Sequence, residues 1–204
     1  MIFPAPIRLA SRSPRRKLLL EEAGISVVVQ PPQIDDGKLQ AKNVSAEHWV
    51  AAMALLKALD VANTIHSKEK TNAGTVLAAD TVCVHHGKIL GQPRDANHAR
   101  KMIHSLKNAA HRTISGVCLI RLCDAQRILF IEETTVKIGN LSDSDIDQYI
   151  QSNDWQGKAG GYNLIERVES GWPILWDGDP TTVMGLPMDR LLPLLKRDSK
   201  GIRS

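Results

Sequence analysis

Residues 7–24 read IRLASRSPRRKLLLEEAG, and this stretch decides the fold class. The apolar segment Ile7–Ala10 predicts a short strand, and the Ser-rich turn after it leads into a predicted helix over Pro14–Ala23. Ser13 at the N-cap position, a proline at the first helical position and Gly24 beyond the last turn give this helix both its ends. A strand that passes through a short turn into a helix is typical of α/β proteins.

The same alternation continues along the rest of the chain. Strands are predicted over Ile25–Val29, Val76–Val84, a partner ending at Leu90, Ile114–Leu122 and Ile128–Ile138, and helices over Ser45–Ile65, Asp95–Lys107, Ser142–Ser152 and Met188–Lys196. Helices interleaved with strands and hairpins predict an α/β fold, a mixed sheet with flanking helices. The length of 204 residues suits a single domain of two lobes over residues 1–204.

Composition and charge exclude several classes of protein. The chain is 43% hydrophobic and 24% charged, which is typical of a globular protein and not of a disordered one. Its net charge of +4 is too weak to indicate a nucleic-acid partner. No segment has the features of a signal peptide or a membrane span, so we expect a cytoplasmic protein without a membrane partner. The three cysteines have no CxxC spacing, and we expect reduced, buried thiols.

Two arginines, Arg15 and Arg16, fall in the first turn of the predicted N-terminal helix. The helix dipole disfavours cations at that end, so each arginine costs roughly 0.3 to 1 kcal/mol unless an anion lies nearby. Backbone N–H groups, the hydroxyls of Ser11 and Ser13 and the two guanidinium groups together predict a phosphate-binding site. The alternative is that both arginines point outward into water.

Several charged residues stand where they need a partner or a function. Asp80 lies in an apolar strand, where an unpaired buried carboxylate is costly. It should bind a metal, accept a proton from water or accept hydrogen bonds from backbone amides. Lys57 falls on the apolar stripe of its predicted helix, so it either extends along the core edge or reaches a phosphate. Asp35 and Asp36 suit a plain loop turn or a Mg²⁺ site.

Three widespread motifs are absent from the chain. The sequence contains no GxxxxGK[ST] phosphate loop, no GxGxxG fingerprint and no HExxH zinc motif. Its seven histidines show no metal-binding spacing, and His85 and His86 suit a turn beside Gly87. Any phosphate chemistry must therefore depend on a different arrangement of residues.

Eight segments, taken in order and spacing, resemble the Maf (septum-formation) family of nucleoside triphosphate pyrophosphatases. They are LASRSPRRKLLLEEAGI, Asp35-Asp36, Lys57-Ala58, AADTV, GQP, HRTISGV, KAGGY and GLP. The resemblance covers nearly the whole chain and implies a fold like that of inosine-triphosphate pyrophosphatases, with two lobes around a cleft. It also implies hydrolysis of a nucleoside triphosphate to the monophosphate and pyrophosphate, with Mg²⁺ or Mn²⁺ as cofactor. Members of the family are often dimers, which makes a homodimer an expectation here.

The resemblance also implies a role for each candidate residue. Asp80 would accept the proton from the attacking water and contact the metal, and Asp36 would complete the metal site. The residues that would bind the substrate are Ser11, Arg15, Arg16, Lys57 and Thr81.

Departures from the family pattern leave the base specificity open. Gln92 precedes Pro93 where the family has Lys, and Ile165 stands where the pyrimidine subgroup has Gln. Arg15 and Thr81 resemble that pyrimidine subgroup, whereas the spacing towards the GLP segment resembles the 7-methyl-GTP subgroup.

Two other functions remain as alternatives. The first is a degenerate nucleotide-binding protein with a regulatory role in cell division, which Gln92 and Ile165 favour. The second is a nucleic-acid-binding protein, suggested by the pI of about 9.0. Aromatic residues make up only 4% of the chain and do not alternate with basic ones, which argues against the second alternative.

Overall fold

The computed structural model describes residues 3–34, 39 and 44–195. Its strands are β1 (Ile7–Leu9), β2 (Val27–Val29), β3 (Thr75–His85), β4 (Lys88–Leu90), β5 (Ala109–Arg121), β6 (Arg127–Ile138) and β7 (Ile174–Asp177). They form one sheet in the order β2-β1-β3-β5-β6-β7, with β4 also paired to β3. The pairs of β1 with β2 and β3 are parallel and the others are antiparallel. The predicted mixed α/β sheet is confirmed.

The helices begin at the predicted positions, although the Ser13 side chain makes no capping hydrogen bond to α1. They are α1 (Pro14–Glu22), α2 (Ala46–Thr64), α3 (Ala96–Leu106), α4 (Asp143–Ser152), α5 (Leu164–Glu169), α6 (Pro180–Met184) and α7 (Met188–Leu195), with a π-helical turn over Ile65–Glu69 and a 3₁₀ turn over Ala159–Gly161. The side chains of Asp95 and Ser142 accept hydrogen bonds from backbone N–H groups in the first turns of α3 and α4. Within the described ranges, none of the helices has the length and apolar character needed to cross a membrane.

Two sequence-based expectations are wrong in detail. The sequence predicts no separate elements between the helices over Ser142–Ser152 and Met188–Lys196, yet α5, β7 and α6 all lie there. Each has only four to six residues, which is too short for a periodic pattern to show. The expectation of three buried thiols fails for Cys123, which is exposed at the turn between β5 and β6, whereas Cys83 and Cys118 are buried.

Successive side chains of β3 point to opposite faces of the sheet, and this alternation separates two groups of contacts. On one face, Ala78 packs with Ala58 of α2. On the other face, Leu77 packs with Leu20 of α1 and Leu191 of α7. Asp80 shares the face of Ala78, and the next residue along the strand therefore faces the side of α1.

Gly116 of β5 lets α2 lie directly against the sheet. It is the cross-strand partner of Asp80. A Cβ atom at this position would lie 2.5 Å from the carbonyl oxygen of Val50, so any side chain would push α2 away. Lys57 lies about two helical turns after Val50 on the same helix. The close approach at Gly116 therefore fixes how near Lys57 comes to Asp80.

Candidate active site

A cleft of about 560 Å³ opens between three segments of the chain. One wall is the turn from β1 into α1, the floor is the middle of β3, and the opposite wall is the segment 156–163. The predicted residues that line it are Ser11, Arg15, Arg16, Lys57, Asp80 and Thr81. The structure thus brings together every predicted site residue except Asp36, which lies outside the described residues. A cleft of this volume is large enough for a nucleotide-sized ligand.

Asp80 and Lys57 form an ion pair at the floor of the cleft. The Lys57 ammonium donates to Asp80 Oδ1 across 2.7 Å, and the two side chains are 10% and 15% exposed. Asp80 Oδ2 takes no hydrogen bond from any residue that the structure describes. One carboxylate oxygen is therefore held by Lys57 while the other remains available to a ligand, a cation or water.

Arg16 is held by protein atoms on three sides. Its Nη1 donates to the carbonyl oxygen of Ala79 across 2.8 Å and to Ser11 Oγ across 3.2 Å. Its Nε donates to the carbonyl oxygen of Gly185 across 2.9 Å, and its Nη2 to Thr81 Oγ1 across 3.1 Å. The sequence suggested that an anion offsets the unfavourable interaction of Arg16 with the helix dipole. In the structure these carbonyl and hydroxyl acceptors do so instead. Arg16 therefore joins α1, β3 and the end of α6.

Gly185 makes its carbonyl available to Arg16 through its backbone conformation. Its φ of 106° lies in the left-handed region that favours glycine, directly after α6. A Cβ atom there would lie 3.0 Å from Arg16 Nε. A larger residue would therefore strain the turn and crowd the guanidinium group at the same time.

Thr81 belongs to a chain of hydroxyl groups that sequence reasoning did not assign. Its Oγ1 lies 2.8 Å from Ser115 Oγ, and Ser115 donates to the carbonyl oxygen of Thr182 across 2.8 Å. Since the Ser115 proton is used in this way, the Thr81 hydroxyl is the donor to Ser115 and the acceptor from Arg16. Thr81 therefore holds Arg16 in place and has no proton left to donate to a ligand.

Arg15 reaches across the cleft to the opposite wall. Its Nη2 donates to the carbonyl oxygen of Gly157 across 3.3 Å. Burial lowers the pKa of Arg15, and the nearby Glu166 carboxylate opposes part of this shift. Arginine nonetheless stays charged in proteins, so the cleft keeps a fixed cation between its two walls.

Most of the chain matches known proteins. A family model described as Maf-like protein matches residues 6–198. The chain belongs to the Maf family. The resemblance seen in the sequence motifs is thereby confirmed, and the cleft described above is the cleft of a Maf chain.

Several relatives carry the name dTTP/UTP pyrophosphatase. The protein of that name from Clostridioides difficile is 34% identical over 94% of both chains. Those from Salinibacter ruber and Pyrococcus furiosus are 35% and 34% identical, over 94% and 95% of this chain and 90% and 96% of theirs. Among solved structures, a HAM1 protein from Coxiella burnetii overlaps with a TM-score of 0.39 at 13% identity, covering 65% of this chain and 72% of that one.

The side chains of the cleft can be compared with the ligands that a divalent cation needs. The described residues contain no group of three or more His, Cys, Asp or Glu side chains that could hold a metal ion. Asp80 supplies the one carboxylate among the described residues of the cleft. Mg²⁺ usually takes one or two carboxylates and completes its shell with water and substrate phosphates. Asp80 therefore fits a cation that is bound jointly with a triphosphate, and Asp36 stays a prediction.

A buried pair of polar side chains lies beneath the cleft and was not foreseen from the sequence. His111 Nε2 and the hydroxyl oxygen of Tyr162 are 2.6 Å apart, and both residues are buried. Burial lowers the pKa of His111 to about 4, and the neighbouring His85 contributes in the same direction. His111 belongs to the HRTISGV segment and Tyr162 to the KAGGY segment, but their pairing could not be foreseen because they are 51 residues apart in the chain.

This buried histidine predicts acid sensitivity of the fold. The pKa of His111 is lower in the folded chain than the ordinary value of 6.5, so the unfolded chain binds the proton first as the pH falls. The stabilisation by neutral His111 is therefore complete above pH 6.5 and is lost between there and pH 4. We expect the free energy of unfolding to fall by about 2 kcal/mol between pH 7.5 and pH 5 from this group. Urea unfolding at both pH values measures it.

In His111→Gln, the fall in the free energy of unfolding between pH 7.5 and pH 5 should be about 2 kcal/mol smaller than in the wild type. His104→Gln changes an exposed histidine and serves as the matched control, which should keep the full loss. An unchanged pH dependence in His111→Gln would show that other groups cause the acid sensitivity.

Proposed function

We propose that the chain hydrolyses a nucleoside triphosphate to the monophosphate and pyrophosphate, with dTTP and UTP as the preferred substrates. The observation that carries the proposal is the Asp80 carboxylate, held by Lys57 at the floor of the cleft with Oδ2 open. The names of relatives that are about a third identical over nearly the whole chain support it. A protein that only binds nucleotides has no evident need for a carboxylate beside a polyanion.

The triphosphate would lie along the turn between β1 and α1. This turn places Ser11 and Ser13 beside the start of α1, where backbone N–H groups point outward. Lys57 and Arg15 supply positive charge at the floor and at the side of the cleft. Charge-assisted hydrogen bonds from such groups are about twice as strong as neutral ones, which suits a ligand of high negative charge.

The reaction needs a water molecule activated next to the α-phosphorus. Asp80 Oδ2 would accept a proton from this water as its oxygen bonds to the α-phosphorus. The bond from that phosphorus to the oxygen bridging to the β-phosphate breaks, and pyrophosphate leaves with the electron pair. Lys57 holds the carboxylate in position by its bond to Oδ1. A divalent cation bound by Asp80 and the phosphates would neutralise the charge that develops on the leaving group.

The second candidate function is nucleotide binding without catalysis. Gln92 favours it, because this neutral side chain lines the cleft where the family pattern has a lysine. The loss of one positive charge would weaken stabilisation of the leaving pyrophosphate. The two candidates differ in a single measurable quantity, the turnover of bound nucleotide.

We expect the purified protein to release pyrophosphate from dTTP or UTP when Mg²⁺ or Mn²⁺ is added. The assay measures pyrophosphate and orthophosphate separately for dTTP, UTP, CTP, ATP, GTP and 7-methyl-GTP. Removal of the cation with EDTA should abolish release if the cation neutralises the leaving group. Release of orthophosphate alone contradicts the proposed reaction. Nucleotide binding by calorimetry without any turnover supports the second candidate instead.

A further inference from the structure

Asn163 is a buried polar residue that lines the cleft directly before α5. Its side chain belongs to the wall formed by segment 156–163, and the residue is 6% exposed. Asn163 Oδ1 accepts hydrogen bonds from the backbone N–H groups of Ile165 at 3.0 Å and Glu166 at 3.3 Å. Both partners are donors, so the amide oxygen must face α5. This fixes the orientation of the whole amide group.

The other end of that amide has an unused hydrogen-bonding capacity. No described residue accepts a hydrogen bond from Asn163 Nδ2, and this nitrogen is not fully buried from solvent. Its N–H groups are thus held in one orientation by the bonds to α5, on a residue that lines the cleft. Fixed donors of this kind fit a ligand atom that is an acceptor, such as a carbonyl oxygen.

The position of Asn163 suits the nucleobase rather than the phosphates. The cationic groups and the carboxylate lie at the turn from β1 to α1 and at the floor, around Lys57 and Asp80. Segment 156–163 forms the opposite wall and is tied to α1 through the bond from Arg15 to Gly157. A nucleotide whose phosphates occupy the cationic end directs its base towards this wall.

We propose that Asn163 determines base specificity by donating a hydrogen bond from Nδ2 to O4 of uracil or thymine. This inference rests on the proposed pyrophosphatase function. Cytosine carries an amino group at the same position, which would set two donors against each other and leave both unsatisfied. O2 is common to all three pyrimidines, so a contact there would not discriminate between them. Because the relatives are named for dTTP and UTP, we place the contact at O4, and the wild-type chain should favour UTP over CTP.

Asn163→Asp tests this with almost no change of shape. The new carboxylate keeps an oxygen for the N–H groups of α5, since Asp caps helices as well as Asn, but replaces the donor by an acceptor. We expect the ratio of kcat/KM for UTP to that for CTP to be about tenfold or more in the wild type, as for a site that hydrogen-bonds its substrate. In the variant this ratio should fall at least tenfold. A general effect of the added charge on all triphosphates cancels in the ratio.

Gln151→Glu is the matched control, because it adds the same charge at an exposed residue of α4 that does not line the cleft. Its UTP to CTP ratio should stay close to that of the wild type. An equal fall of the ratio in both variants would overturn the inference, since charge alone would then explain it. Melting temperatures of both variants verify that the fold is kept.

A substrate change provides the second test. The triphosphate of 2-pyrimidinone riboside lacks the 4-oxygen, so the wild type should use it about tenfold less well than UTP. Asn163→Ala should treat the two substrates alike, because the donor is gone. If the wild type prefers UTP to CTP and Asn163→Asp keeps that preference, the assignment of Asn163 fails while the pyrophosphatase function stands. If the wild type releases pyrophosphate from no triphosphate, the proposed function itself fails.

Discussion

Asp80→Asn should reduce the turnover of nucleoside triphosphate by about 10² to 10⁴, because it removes the proposed proton acceptor and keeps its shape. Loss of a cation contact would add to the effect. Nucleotide affinity should not fall in parallel, since a negative charge near the triphosphate is removed. Two unit charges about 4 Å apart repel by about 4 kcal/mol at an effective dielectric constant of about 20, before screening. Initial rates of pyrophosphate release and calorimetric binding measure the two effects.

The matched control is Glu132→Gln, which removes a carboxylate that is paired with Arg190 outside the cleft. It loses an ion pair as Asp80→Asn does, but it should leave turnover close to the wild-type value. If Asp80→Asn retained near-normal pyrophosphate release, another group would have to activate the water. Asp36 would then be the first residue to substitute.

Arg16→Ala should destabilise the fold by about 3 kcal/mol, since hydrogen bonds to charged groups contribute about 1.5 to 3 kcal/mol each and do not add fully. The substitution leaves the buried carbonyl of Ala79 and the carbonyl of Gly185 without this donor. A chain of this size should lose about 6 to 12 °C in Tm, which differential scanning calorimetry measures. Catalytic efficiency should fall as well, because the turn between β1 and α1 is no longer fixed to β3.

Two further variants separate support of the fold from phosphate binding. Arg12→Ala removes a neighbouring, exposed arginine that makes one hydrogen bond to the carbonyl oxygen of Pro32, so it should cost less stability than Arg16→Ala. Arg16→Lys keeps the charge but cannot form the fork of bonds. Full stability of Arg16→Lys would assign Arg16 to the phosphates instead. An unchanged Tm of Arg16→Ala together with weak nucleotide binding would do the same.

The sequence alone determined the local structure around the site. Pro14 and Gly24 set both ends of α1, where the Ser13 side chain makes no capping hydrogen bond, and the caps at Asp95 and Ser142 set the starts of α3 and α4. These features depend on contacts within a few residues, so composition and spacing suffice to predict them. The order of the motifs also identified the family. The short elements α5, α6 and β7 were missed because they exist through packing against the sheet and not through a pattern of their own.

Only the tertiary structure decided which polar groups meet. Lys57 and Asp80 are 23 residues apart, and they pair because Gly116 lets α2 lie against β3 and β5. Arg16 finds Gly185, 169 residues away, and uses carbonyl oxygens where the sequence suggested an anion. The sequence showed that these charged groups need partners, since burying a charge unpaired is costly. Which partner each one has depends on distances across the sheet, and spacing along the chain carries no information about them.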